Sequence, residues 1–121
     1  MNGDQNNRAV FDRAAMLQRL LGDESLVEVV LERFLSDTPR RIAALGEALA
    51  RDDAAQSRLH AHTIKSAAAN INAAALSDMA AALETAAETD HLQTARDFFP
   101  GLREQFDILK QVLGLRGDEG T

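Results

Sequence analysis

The chain has 121 residues, 45% of them apolar, with a formal net charge of −6 and no cysteine. That is enough for one domain with a single core, and it excludes disulfide frameworks, thiol chemistry and thiolate metal sites. The acidic balance, with a sequence pI near 4.9, argues against nucleic acid and direct membrane binding, which call for clustered positive charge, and no apolar run approaches the roughly 18 residues of a membrane span.

Met1–Asn7 is polar and not signal-like, and residues 115–121 are aperiodic. Both are expected to be disordered tails around a domain over residues 8–114. Between them Ala and Leu dominate, the two residues that lose least on entering a helix. Asp12 can cap a first short helix through Met16, Leu17 and Leu20, stopping at Gly22. Asp23 or Ser25 opens a second helix carrying Leu26, Val30 and Phe34. Ser36-Asp37-Thr38-Pro39 then forms a capping cluster with Pro suited to a first turn. The apolar series resumes at Ile42, Leu45 and Leu49, so this is one long kinked helix or two nearly collinear ones. Arg51-Asp52-Asp53 marks a turn.

A third helix is expected over residues 53–71, with Ala61, Ile64, Ala68 and Ile71 as its apolar stripe and Asn72 ending it. The fourth, over residues 73–89, presents Leu76, Met79, Leu83 and Ala86. The fifth carries Leu92, Ala95, Phe99, Leu102, Phe106, Leu109 and Leu113 at an unbroken spacing of three and four, so it is expected to continue through Pro100. No segment alternates with period two. The pattern predicts an all-α protein, an antiparallel up-down bundle joined by short connections.

The segment Arg58-Leu59-His60-Ala61-His62-Thr63-Ile64-Lys65-Ser66 is the chemically informative one. At about 100° per residue, His62 lies roughly 140° from the centre of the third helix's apolar stripe and points away from the core. Arg58, Lys65 and Ser66, at i−4, i+3 and i+4, share its face, and Ala69 leaves space beside the ring. His60 falls only about 60° from the stripe and is a boundary residue. It points to a different side from His62, so the pair should not chelate one metal. By position alone, such a histidine is ordinary solvated surface, and the cations are what make a dianionic adduct on the ring plausible.

The run His62-Thr63-Ile64-Lys65-Ser66-Ala67-Ala68-Ala69-Asn70-Ile71-Asn72-Ala73 resembles the phosphorylation-site segment of histidine phosphotransfer (HPt) domains. The family pattern is His, any residue, an aliphatic, Lys, Gly, then small residues, an aliphatic and a second Gly. Val10-Phe11-Asp12, Leu20-Leu21-Gly22-Asp23 and Phe34-Leu35 upstream, and Leu76-Ser77 and Leu83-Glu84 downstream, extend the resemblance over roughly residues 10–113. It implies a four-helix bundle with an additional short N-terminal helix, His62 as phospho-acceptor and Lys65 as a neutraliser of phosphoryl oxygens. Glu84, 22 residues after His62, is implied to accept a hydrogen bond from Nδ1–H and leave Nε2 free as nucleophile. Alone it would be an ordinary helix carboxylate. Ser66 and Asn72 depart from the two family glycines. Asn72 can end a helix, whereas Ser66 could narrow partner choice, slow transfer or give the phosphoryl group another donor.

The resemblance further implies a cytoplasmic phosphocarrier without ATP binding or kinase activity of its own, and without a resident cofactor or metal. A receiver domain bearing a phosphoaspartate, or a hybrid sensor histidine kinase, is the expected donor, and another response-regulator receiver the acceptor. Mg²⁺ is expected on the receiver. A monomer suffices. Arg58, Ser66, Ala69 and Ala73, with Phe34 or Leu35, are the expected docking surface. Two other readings compete: an HPt-like module that docks receivers without being phosphorylated, and a metal bundle. The second needs paired Glu-x-x-His ligands on facing helices, and only Glu88 and His91 show that spacing. His91 is more simply a helix-end residue.

Overall fold

Three helices begin on an aspartate whose carboxylate accepts the backbone N–H three residues on, filling one donor that a helix start leaves open. Asp12 takes Ala15 N, Asp23 takes Leu26 N and Asp53 takes Gln56 N, each at 3.0 Å. A computed structural model describes residues 9–117. Its helices are α1 (Arg13–Arg19), α2 (Glu24–Ala50), α3 (Ala54–Asn70), α4 (Ala74–Glu88) and α5 (Leu92–Gly117). No strand occurs among the described residues, as the missing period-two pattern predicts. Nor is any helix there long and apolar enough to cross a membrane. Replacing Asp23 by Ala should lower the unfolding free energy by about 1 kcal/mol, read as a fall in the urea midpoint at unchanged slope.

The connections share one device. Leu21, Asp52, Asn72 and Asp90 each adopt positive φ, between 58° and 68°. The following N–H returns to a carbonyl five residues back: Gly22 to Leu17, Asp53 to Ala48, Ala73 to Ala68 and His91 to Ala86, all at 2.8–2.9 Å. Asp and Asn tolerate this left-handed step because their short polar side chains are satisfied locally. Leu21 has no such excuse, and its side chain stands 94% exposed. Chain reversals this tight force α2 to α5 into antiparallel neighbours.

The core runs down the bundle axis through Val27, Leu31, Phe34, Ile42 and Leu45 of α2, Ala61, Ile64 and Ala68 of α3, Leu76, Ala80 and Leu83 of α4, and Leu102, Phe106 and Leu109 of α5. In α2 the buried stripe is displaced from the expected one. Val27, Leu31 and Phe34 are buried, whereas Leu26 is exposed and Val30 only half-buried. Of the two arrangements expected around Ser36–Pro39, the structure has the single helix, α2 running on through Pro39. Phe34, Thr38, Ile42 and Leu45 stay in register and buried on both sides of it, with Pro39 itself on the exposed side. The packing of that stripe outweighs the one backbone hydrogen bond the proline removes. Pro100 behaves likewise in α5, which continues to Gly117, three residues into the stretch expected to be a tail. The expected N-terminal tail lies outside the described residues.

α1 sits over the α3–α4 turn. Asp12 N donates to Asn72 O at 3.0 Å, and the Arg19 guanidinium donates to Asn70 O and to Asn72 Oδ1. At the other side of the bundle α2 and α5 leave a groove of about 560 Å³ lined by Pro39, Ile42, Gly46, Phe99 and Phe106, among others. A Cβ at Gly46 would stand 3.0 Å from Phe99 Cζ, so a larger residue there would have to displace that ring. None of the histidines lines this groove.

Candidate functional site

The α3–α4 hairpin folds about Ala73, and His62 lies eleven residues before it while Glu84 lies eleven after it. With equal rise per residue on both helices, the two side chains arrive at the same height. Alanines at positions 61, 68 and 80 are fully buried, and side chains this small let the two helices approach closely. His62 Nδ1 stands 2.9 Å from Glu84 Oε2. Lys65, one turn along α3, places Nζ 2.8 Å from Glu84 Oε1. The imidazole side chain is 50% exposed while the Glu84 side chain is 11% exposed. The site is thus a buried carboxylate with each oxygen occupied, holding an open ring on one side and an ammonium on the other.

That pairing resolves the charge and the tautomer together. Burial pushes the Glu84 carboxyl up, but the hydrogen bonds from Lys65 and His62, reinforced by their charges, outweigh it and leave it below its ordinary value. Glu84 is therefore an anion at neutral pH, and an ionised carboxylate can only accept. Nδ1 must carry the proton. In the neutral ring the lone pair is then on Nε2, which faces away from Glu84. Folded Glu84 binds its proton less readily than the unfolded chain does. Its contribution to stability is full above the ordinary glutamate range and is lost as pH falls through the depressed value.

Arg58, Ser66 and Ala69 lie exposed on the His62 face, as the helical spacing predicts. Ala73 does not: it is fully buried at the α4 cap, and the tight α3–α4 turn closes over it. Phe34 is also core, packed against Phe106 with ring centroids 6.0 Å apart, and Leu35 is half-buried. Ala73 and Phe34 are withdrawn from the expected docking surface. His91 is exposed at the start of α5, its carbonyl accepting Ala95 N.

His60 is the boundary residue its position predicts, half-buried with Nδ1 buried and without a partner. Burial lowers its pKa from 6.5, Arg41 and Arg51 lower it further, and Asp53 opposes them. The folded chain resists protonating His60, so stability present above its ordinary pKa is lost as pH falls below it. His60→Gln should therefore flatten the loss of unfolding free energy between about pH 7 and about pH 5, measured by urea titration at each pH.

Two contributors escape the sequence. Ser77 Oγ donates to Lys65 O at 3.1 Å and pins α4 to the turn that carries Lys65. Arg19 braces the C-terminal end of α3, a contact across 51 residues with no local signal. The Lys65–Glu84 pair was within reach of sequence reasoning, because a carboxylate level with His62 across an antiparallel hairpin is also within one turn of Lys65.

No curated protein and no solved structure matches the chain. The sequence pattern of the Hpt domain family matches residues 29–112. The match starts inside α2, so α1 and the resembling segments at residues 10–12 and 20–23 fall outside it. It spans more than half of the chain and all of α3 and α4, and the helical bundle is the fold it calls for. The chain belongs to the Hpt domain family, the histidine phosphotransfer modules of phosphorelays.

Proposed function

We propose that His62 is the phospho-acceptor, receiving a phosphoryl group from the phosphoaspartate of a receiver domain, or from a histidine kinase, and passing it to a response-regulator receiver. The observation that carries this reading is the 2.9 Å contact between Nδ1 of a half-exposed ring and a buried carboxylate. Nε2 attacks phosphorus, the bond from phosphorus to the aspartyl oxygen breaks, and the aspartate leaves as a carboxylate. The ring keeps its proton on Nδ1 and becomes cationic, and Glu84 opposite that proton stabilises the charge. A cationic ring is also a good leaving group, which keeps the phosphoryl group transferable in both directions. Lys65, an ammonium with three donors, can stay on Glu84 and still direct an N–H at a phosphoryl oxygen, and Arg58 supplies a second cation one turn away.

The chain acts as a carrier rather than as a kinase, and the receiver brings Mg²⁺ to the shared transition state. The docking face is built on α3 around the ring. Leu59, 44% exposed and three residues before His62, is its apolar element there, with Ser66 and Ala69 beyond. Val29, 60% exposed, extends it onto α2 across a groove it shares with Ala67 and Asn70. Incubation with a phosphorylated receiver, followed by recovery of acid-labile, base-stable phosphate on this chain, tests the reading. A chain that takes up none from cognate receivers refutes it.

A further inference from the structure

Ser66 stands where the family pattern has glycine, and its hydroxyl is uncommitted. Thr63 Oγ1 donates to Leu59 O at 3.1 Å, Thr89 Oγ1 to Thr85 O at 2.8 Å, and Ser77 Oγ to Lys65 O. The first two spend their hydroxyls on the carbonyl four residues back, the usual outlet for such a residue inside a helix. Ser66 does not: the equivalent carbonyl is that of His62, and the Ser66 hydroxyl has no partner among the described residues. Its side chain is exposed.

Position makes that free donor useful. Ser66 is one turn beyond His62 and about 40° around the helix from it. Side chains on a helix lean toward its N-terminus, so Ser66 leans over the turn that begins at His62. Lys65 already holds Glu84 Oε1 at 2.8 Å, and leaving it would strand a buried carboxylate oxygen. A phosphoryl group on Nε2, carrying three acceptor oxygens, therefore has a shared cation in Lys65 and an uncommitted hydroxyl in Ser66.

We propose that Ser66 is a phosphoryl-binding residue, whose Oγ–H donates to a phosphoryl oxygen on phosphorylated His62 and lengthens the life of the phosphohistidine. This rests on the phosphotransfer reading of His62. The hydrogen bond holds the phosphoryl group in the ground state, so it slows loss to water, in which a water oxygen bonds to phosphorus, the P–N bond breaks and Nε2 recovers its lone pair. It biases the chain toward retaining its cargo until a receiver displaces the contact.

The test uses the intact chain charged with phosphoramidate, a small donor that needs no docking surface, and follows the decay of acid-labile phosphate after the donor is removed. Ser66→Ala, which removes only the hydroxyl, should shorten the half-life about three- to tenfold, in keeping with loss of one solvent-exposed hydrogen bond of ordinary strength, and Ser66→Gly should match it. Far-UV ellipticity equal to wild type confirms that α3 is intact in Ser66→Ala. An unchanged half-life in Ser66→Ala overturns the proposal, and so does a shorter half-life in Ser66→Gly alone, which would assign the effect to the backbone. His62→Gln separates the two levels of inference: if it is labelled as strongly as wild type, the acceptor assignment fails and the Ser66 proposal fails with it.

Discussion

His62→Gln should take up no acid-labile phosphate from a phosphorylated receiver, while His60→Gln takes it up as wild type does. Glutamine keeps the length and polarity of the side chain but has no basic nitrogen, so the P–N bond has no atom on which to form. The loss is of the reaction itself and should exceed any effect on stability, since the His62 side chain is half exposed and fills no core volume. His60 makes the informative control. It lies on the same helix two residues away, yet it is half-buried, and burial, followed by the charges of Arg41 and Arg51, lowers its pKa. Phosphate on both variants would move the acceptor elsewhere. Absence from both, with receiver docking retained, would favour a module that binds receivers without being phosphorylated.

Glu84→Ala should slow phosphoryl transfer by roughly tenfold to a hundredfold, the kinetic equivalent of a charge-assisted hydrogen bond. Two losses combine. Nδ1 no longer has the acceptor that fixes its proton, so part of the population carries the proton on Nε2 and is not nucleophilic. The ring cation that forms on transfer also loses its counter-charge. Lys65, released from Glu84 Oε1, gains freedom to reach the phosphoryl group, which keeps the defect short of complete. Glu84→Gln isolates the electrostatic part, because its amide oxygen still accepts from Nδ1. It should transfer faster than Glu84→Ala and slower than wild type. The same variant should remove the fraction of acid destabilisation that arises as pH falls through the depressed Glu84 value, so a urea titration below the ordinary glutamate range gives a second reading of the same contact. Equal rates for wild type and Glu84→Ala would make the pair structural only.

The fold was largely legible because its determinants are local. Aspartate caps at Asp12, Asp23 and Asp53, left-handed residues at the turns and the three-four spacing through Leu102, Phe106 and Leu109 each act within a few residues of themselves. One open alternative and one misreading arose where packing competes with a local rule. Thr38-Pro39 has the chemistry of a helix start, yet α2 runs through it because the buried stripe on either side is worth more than one missing hydrogen bond. Leu26 fits a stripe as well as Val27 does by composition, and only the packing of the bundle decides which of them is covered.

For the site, the sequence alone placed His62 on an exposed helix face with Arg58, Lys65 and Ser66 around it, because helical spacing dictates which residues share a face. It also supplied Glu84 as a carboxylate at a family-like distance along the chain. Only the tertiary structure decided that Glu84 is buried, that it holds His62 and Lys65 at once, and that Ala73 and Phe34 lie inside the bundle rather than on its docking face. The physical reason is that hydrogen-bond partnership and burial depend on the depth and axial offset at which two helices pack. Those quantities are set by the side chains between the helices, not by the periodicity of either one.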